Sequence, residues 1–150
     1  MAKRIIVQSP DPILFKKCRP VEVFDERLHT LLDDMKETLD DADGAGLAAP
    51  QVAVLKRACV VKTEDGYFEL INPEIKSHSG EQTGIEGCLS VKGKYGNVTR
   101  FDKITVIAQD RFGKKKRYRV DGFTSRAFQH EMDHLDGVLY TSKCTDLRDE

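Results

Sequence analysis

The segment from Asp121 to Val138, DGFTSRAFQHEMDHLDGV, constrains this chain more than any other. Phe128, Met132 and Leu135 recur at helical spacing, so the segment reads as a helix whose apolar faces are buried. Asp121 or Thr124 is placed to cap its start, and Gly137 to stop it. A buried helix that also carries His130, Glu131, Asp133 and His134 needs partners for all four, because unpaired polar groups are costly to bury. Residues four apart on a helix lie about 40° apart around its axis. His130 and His134 can therefore reach one ion from one face. Glu131 beside them cannot easily be a third ligand but can contact a water at that ion, which is the arrangement of a catalytic metal rather than a structural one. Asp133 is left for a supporting hydrogen bond. The alternative is a solvated helix face with two unrelated histidines.

The rest of the chain reads as α+β in a single domain of 150 residues, a length that suits one core. Asp25 caps a helix running to about Leu39, with Leu28, Leu31, Leu32, Met35 and Leu39 on its apolar side. RACVVKT and YFELINPEI read as strands around a turn at Glu64–Gly66, and KITVIAQD and KKRYRV as a hairpin. Short strands come first and one late helix follows, which favours α+β over a parallel sheet. A formal net charge of -1 gives no global reason to bind nucleic acid, DNA included, or an anionic membrane. No run approaches the roughly 20 apolar residues of a membrane span, and the N-terminal MAKRIIVQSPDPILFKK lacks a signal-peptide core. The expectation is a cytoplasmic protein whose four scattered cysteines are reduced. The basic run KKKRYR at 114–119 reads as a solvated hairpin strand, with an RNA contact as its other reading.

Two histidines leave a coordination shell incomplete. Only 16 residues follow His134, and none is a histidine or a glutamate on a further helix, so a third ligand is sought upstream. Cys88 in GIEGCLSV is the best candidate, because flanking glycines let the backbone come close to something. A thiolate with two imidazoles leaves a fourth position open for water. Two other readings of Cys88 stay open: a small buried residue, and a nucleophile with His130 as its base. Cys59, inside a strand, reads as core.

Three segments, GAGLAAPQ (44–51), EGCLS (86–90) and QHEMDHLDG (129–137), resemble the three signature motifs of the peptide deformylases, in the family's order and spacing. The resemblance extends to DPILFKKCRPV and DDMKETL and so spans nearly the whole chain. It implies antiparallel sheets around a central C-terminal helix that carries HExxH, and removal of the formyl group from the formylmethionine of new polypeptides. It implies one divalent metal on Cys88, His130 and His134, with Fe(II) expected and Zn, Ni or Co suited to the same donors. Glu131 is then the general base and acid, and Gln51 (side-chain amide) and Leu89 (backbone N–H) donate to the oxyanion.

Substrate-binding expectations follow. Gly44, Gly46 and Leu47 offer backbone to an incoming peptide strand. Ile85, Gly87, Ala127 and the stem of Arg126 border a methionine pocket, with Ile85 and Ala127 equally readable as core. Arg100 is a candidate partner for Glu86. Lys92 and Phe101 stand where many family members have proline, and arginine is frequent in some members near Tyr95; all three changes are expected at the cleft rim. N-formylmethionyl nascent peptides are the implied partners, with transient ribosome association.

Overall fold

A computed structural model describes residues 2–150. Helix α1 runs over Glu26–Ala42, three residues past the expected end. The Asp25 carboxylate accepts the Leu28 N–H at its start, and Asp43 turns left-handed at its end. Strands β1 (Gly46–Ala48), β2 (Ala58–Thr63), β3 (Gly66–Cys88), β4 (Val91–Gln109) and β5 (Lys115–Val120) lie side by side in that order, each antiparallel to the next. A short β6 (Arg148–Asp149) pairs with β4 beside Lys94 and Tyr95. Helix α2 spans Gly122–Leu135 and packs against β4, β2 and β1. No helix among the described residues is long and apolar enough to cross a membrane.

The expectation of short strands fails for β3 and β4, which are 23 and 19 residues long and form one extended ribbon. From Lys76 to Glu81 the ribbon is exposed on both faces, so it carries no apolar alternation that sequence reading can detect. His78 lies within β3 and stacks on Phe101.

Three apolar clusters hold α2 and α1 to the sheet, one of them formed by Leu28 and Leu32 of α1 with Val21, Ala58 and Ile71. Phe128 and Leu135 of α2 are fully buried against Cys59, Val61, Leu70, Val106 and Ala108. Each contributes about 1.5–3 kcal/mol by leaving water. Leu31, Met35 and Leu39 of α1 pack on Leu47, Val52 and Val60. The end of α2 is set by Gly137, whose φ of 75° favours glycine and whose added Cβ would lie 2.6 Å from the Phe15 backbone. At the start of α2, Asp121 holds the capping position, but its side chain makes no capping hydrogen bond.

Candidate metal centre

Cys88 stands at the tip of the β3–β4 ribbon. Glu86 pairs with Gly96, yet Cys88 pairs with Val91, so the register shifts between them. Such a shift lets the strand re-aim a side chain out of the ladder. From α2, His130 and His134 come forward one turn apart. One donor atom from each of Cys88, His130 and His134 lies within 4.8 Å of the others.

Three features of this structure fit a metal ion. Cys88 Sγ lies 3.4 Å from His134 Nε2. Bonds of about 2.3 Å to sulfur and about 2.0–2.1 Å to nitrogen, at a tetrahedral angle, place such donors roughly 3.5 Å apart. His130 Nδ1–H donates to Glu86 Oε1 at 2.8 Å, which leaves Nε2 with its lone pair toward the cluster. The charge balance points the same way. Burial opposes a charge on His130, yet Glu131, Cys88 and Glu86 pull its pKa up to about 10. The anionic groups that favour a proton on the second ring nitrogen favour a divalent cation in that proton's place.

A buried ionic network stands behind His130. Glu86 is bound by Arg100 Nε at 2.9 Å and Arg100 Nη2 at 2.8 Å, and by Arg126 Nη1. Arg100 also reaches Asp133 at 2.6 Å. Burial alone would push the Glu86 carboxyl up, but hydrogen bonds from Arg100 and His130 hold it well below the usual carboxylate range. The carboxylate therefore stays ionised and fixes the His130 tautomer.

Glu131 has the opposite surroundings. It is 5% exposed, and Oε1 has no hydrogen-bond partner among the described residues. Burial pushes its pKa up to about 7. The carboxylate rests against Gly46, where an added Cβ would lie 2.6 Å from Glu131 Oε2. Gln51 is oriented at both ends of its amide. Its Oε1 accepts from Ala48 N–H at 2.9 Å, and its Nε2 donates to Ser90 Oγ at 3.0 Å and lies 3.6 Å from Cys88 Sγ. Leu89 occupies the tight turn between β3 and β4. These groups open on a cleft of about 910 Å³.

Residues 3–150 match the model of the polypeptide deformylase family. This chain belongs to that family. It is 54% identical over 145 residues to peptide deformylase 1 of Bacillus subtilis, covering 95% of this chain and 91% of that one. The solved peptide deformylase of Thermotoga maritima superposes with a TM-score of 0.95 at 36% identity, covering 97% of this chain and all of that chain. That of Legionella pneumophila gives 0.93 at 44% identity, covering 96% and 87%.

Most of the residues expected at a deformylase site come together. Gly44, Gly46, Gln51, Ile85, Gly87, Cys88, Leu89, Arg126, Ala127, His130 and Glu131 line the cleft, and His134 lies behind it, 1% exposed. Leu47 is fully buried in the α1 cluster, so its side chain is core. Ile85 is 62% exposed on the cleft wall and is not core. Two expectations, the placing of Phe101 and of Tyr95 at the cleft rim, need correction. Phe101 stacks on His78 away from the cleft, because its backbone N–H is tied to Gln129 on α2. Tyr95 lies under the Arg148 guanidinium and does not border the cleft. Lys92 does line it. Arg126 offers more than a stem, since its guanidinium ends on Glu86 and the carbonyl of Val98.

One contributor had no signal in the sequence. The segment Val7–Ser9 joins the two loops beside the cluster. Val7 N–H donates to the Gln51 carbonyl at 2.7 Å, Gln8 Nε2 to the Leu89 carbonyl at 2.8 Å, and Ser9 N–H to the Ser90 carbonyl at 2.8 Å. Gln8 and Leu89 are 81 positions apart, a pairing no local pattern reveals.

Proposed function

We propose that the chain, acting as one catalytic domain over 1–150, removes the N-formyl group from formylmethionine at the start of newly made polypeptides and releases formate. The observation that carries this reading is the partnerless Glu131 carboxylate oxygen, buried beside the Cys88–His130–His134 cluster. Cys88, His130 and His134 would hold one divalent metal, Fe(II) first with Zn, Ni or Co as substitutes. When bound, such an ion supplies Lewis acidity that brings the pKa of water toward neutrality.

Glu131 takes a proton from the attacking water and later passes it to the leaving amine as the C–N bond breaks. Gln51 Nε2 and the Leu89 N–H donate to the oxygen that gains charge. Gly46 is suited to hold the peptide. Lys62 N–H donates to the Ala45 carbonyl, so in the antiparallel ladder Gly46 turns its own N–H and C=O away from β2. Strand β1 is the first of the sheet, and this free edge can accept an extended substrate. Ile85, Ala127 and the Arg126 stem are placed to border the methionine side chain, with Gly87 beside them. The working setting is the cytoplasm, in transient contact with ribosomes that carry the substrate.

The deciding experiment uses anaerobically purified protein and a formyl-Met-Ala-Ser peptide. Formate release is expected to stop when a chelator strips the metal and to return on adding Fe(II) or Ni(II). Activity that survives chelation but not alkylation of Cys88 would replace this reading with thiol catalysis.

Two variants test the supports of the site. Gly46→Ala should cut kcat at least 100-fold, because its Cβ displaces the Glu131 carboxylate, and loss of a general base costs about 10²–10⁴. Gln8→Ala should lower kcat roughly 5- to 10-fold with KM nearly unchanged, the scale of one hydrogen bond of about 1 kcal/mol. A Gln8→Ala effect confined to thermal stability would show that the segment braces the fold alone.

A further inference from the structure

The last strand of the sheet carries a charge the catalytic reading does not use. Lys114, Lys115, Lys116, Arg117 and Arg119 are all exposed, and none forms an ion pair among the described residues. The chain as a whole has a net charge of -1, so these cations are a local concentration on an otherwise acidic molecule. The register extends the patch across three strands. Arg119 lies beside Thr105, Thr105 beside Ser77, and Lys103 beside Ser79. Partners and alternate residues share a face, so Ser77, Ser79, Lys103, Thr105, Arg117 and Arg119 all point away from the core, opposite buried Ile104, Val106 and Ala108. Several of them line a groove of about 420 Å³.

We propose that this outer face of β3–β5 is a docking surface for the phosphodiester backbone of RNA. Charge complementarity argues for that occupant. Lys115, Arg117 and Arg119 repeat every second residue, about 6.8 Å apart along the strand, a spacing close to that of successive phosphates. Neighbouring serine and threonine hydroxyls add the hydrogen bonds that phosphate oxygens and 2′-hydroxyls accept or donate. Cations on an edge strand also discourage edge-to-edge pairing. That role needs one or two charges, not three on one face of β5 with Lys103 and a row of hydroxyls beside them. The choice of RNA rests on the deformylase reading, because nascent chains are presented by an RNA-rich particle. Strand β5 is the opposite edge of the sheet from β1, so RNA held there leaves the cleft free.

The test is fluorescence anisotropy of a labelled single-stranded RNA 20-mer with the whole protein as salt rises. Arg117→Ala/Arg119→Ala is compared with Lys16→Ala/Lys17→Ala, an equal charge change at exposed lysines elsewhere. The expected result is salt-dependent binding that the β5 pair weakens roughly 10-fold, lowering the log–log salt slope by about 1.4, while the control pair matches wild type. Equal loss in both pairs, or polyglutamate competing as well as RNA, would overturn the proposal. So would the absence of RNA binding by wild type. Formate release from the free peptide is measured in parallel and should be the same in all three proteins. If none releases formate, the catalytic reading fails separately from the RNA result.

Discussion

Glu131→Gln should lower formate release by about two to four orders of magnitude, the usual cost of losing a positioned general base, while one metal per chain is retained. The amide keeps the shape that fits against Gly46, and among the described residues neither Cys88, His130 nor His134 makes a hydrogen bond with Glu131. The melting temperature should hold or rise, because the substitution removes a buried carboxylate whose Oε1 has no partner. Steady-state kinetics beside metal analysis checks both. A Gln variant that keeps its metal and more than about a tenth of wild-type activity would place the base elsewhere.

Glu86→Gln is expected to be the most damaging change outside the metal cluster, and in two separable ways. Glu86 and Arg100 are each about 95% buried, and Arg126 shares the same carboxylate. Removing one partner of such a network costs about 3–5 kcal/mol, since the guanidinium groups stay buried without their counter-charge. The sign with pH follows from the depressed carboxyl. The stability that Glu86 contributes is fully present above the unfolded pKa of about 4.3 and is lost only as pH falls through the lower folded value. The variant should therefore be weakened across neutral pH and converge on wild type only in strong acid. His130 would also exchange a carboxylate acceptor for a neutral amide oxygen, which polarises its ring and fixes its tautomer less firmly, so metal affinity should fall about 10–100-fold. Denaturant melts of the apo-protein measure the first effect, and competition with a chelator measures the second. Unchanged metal affinity in a destabilised protein would confine Glu86 to a structural role.

The helix of His130 and His134 was legible because its signal is local. Helical period, caps and the four-residue spacing all lie within Asp121–Gly137, and the structure departs from that reading at the unused Asp121 side chain and at Glu131 Oε1 and His134 Nδ1, which have no hydrogen-bond partner among the described residues. Cys88 could be nominated by its glycine-flanked segment. How it meets two histidines more than 40 positions away is decided by the register shift between Glu86 and Cys88, which depends on β4. The β3–β4 ribbon was missed where both faces meet solvent, because alternation appears only when one face is buried. For Ile85 the sequence left pocket and core both open, because an isolated apolar residue does not say which side of its strand the core lies on.

Donor types, their helical spacing and the apolar periods that place them are properties of short stretches, and chain chemistry alone establishes them. Tertiary structure alone decides which distant groups complete each donor. Glu86 selects the proton position on His130, Arg100 and Arg126 keep Glu86 charged, and Gln8 reaches Leu89. Those partners are chosen by sheet register and by the burial of helix α2. Both arise from packing energy summed over the whole core, which no window of sequence contains.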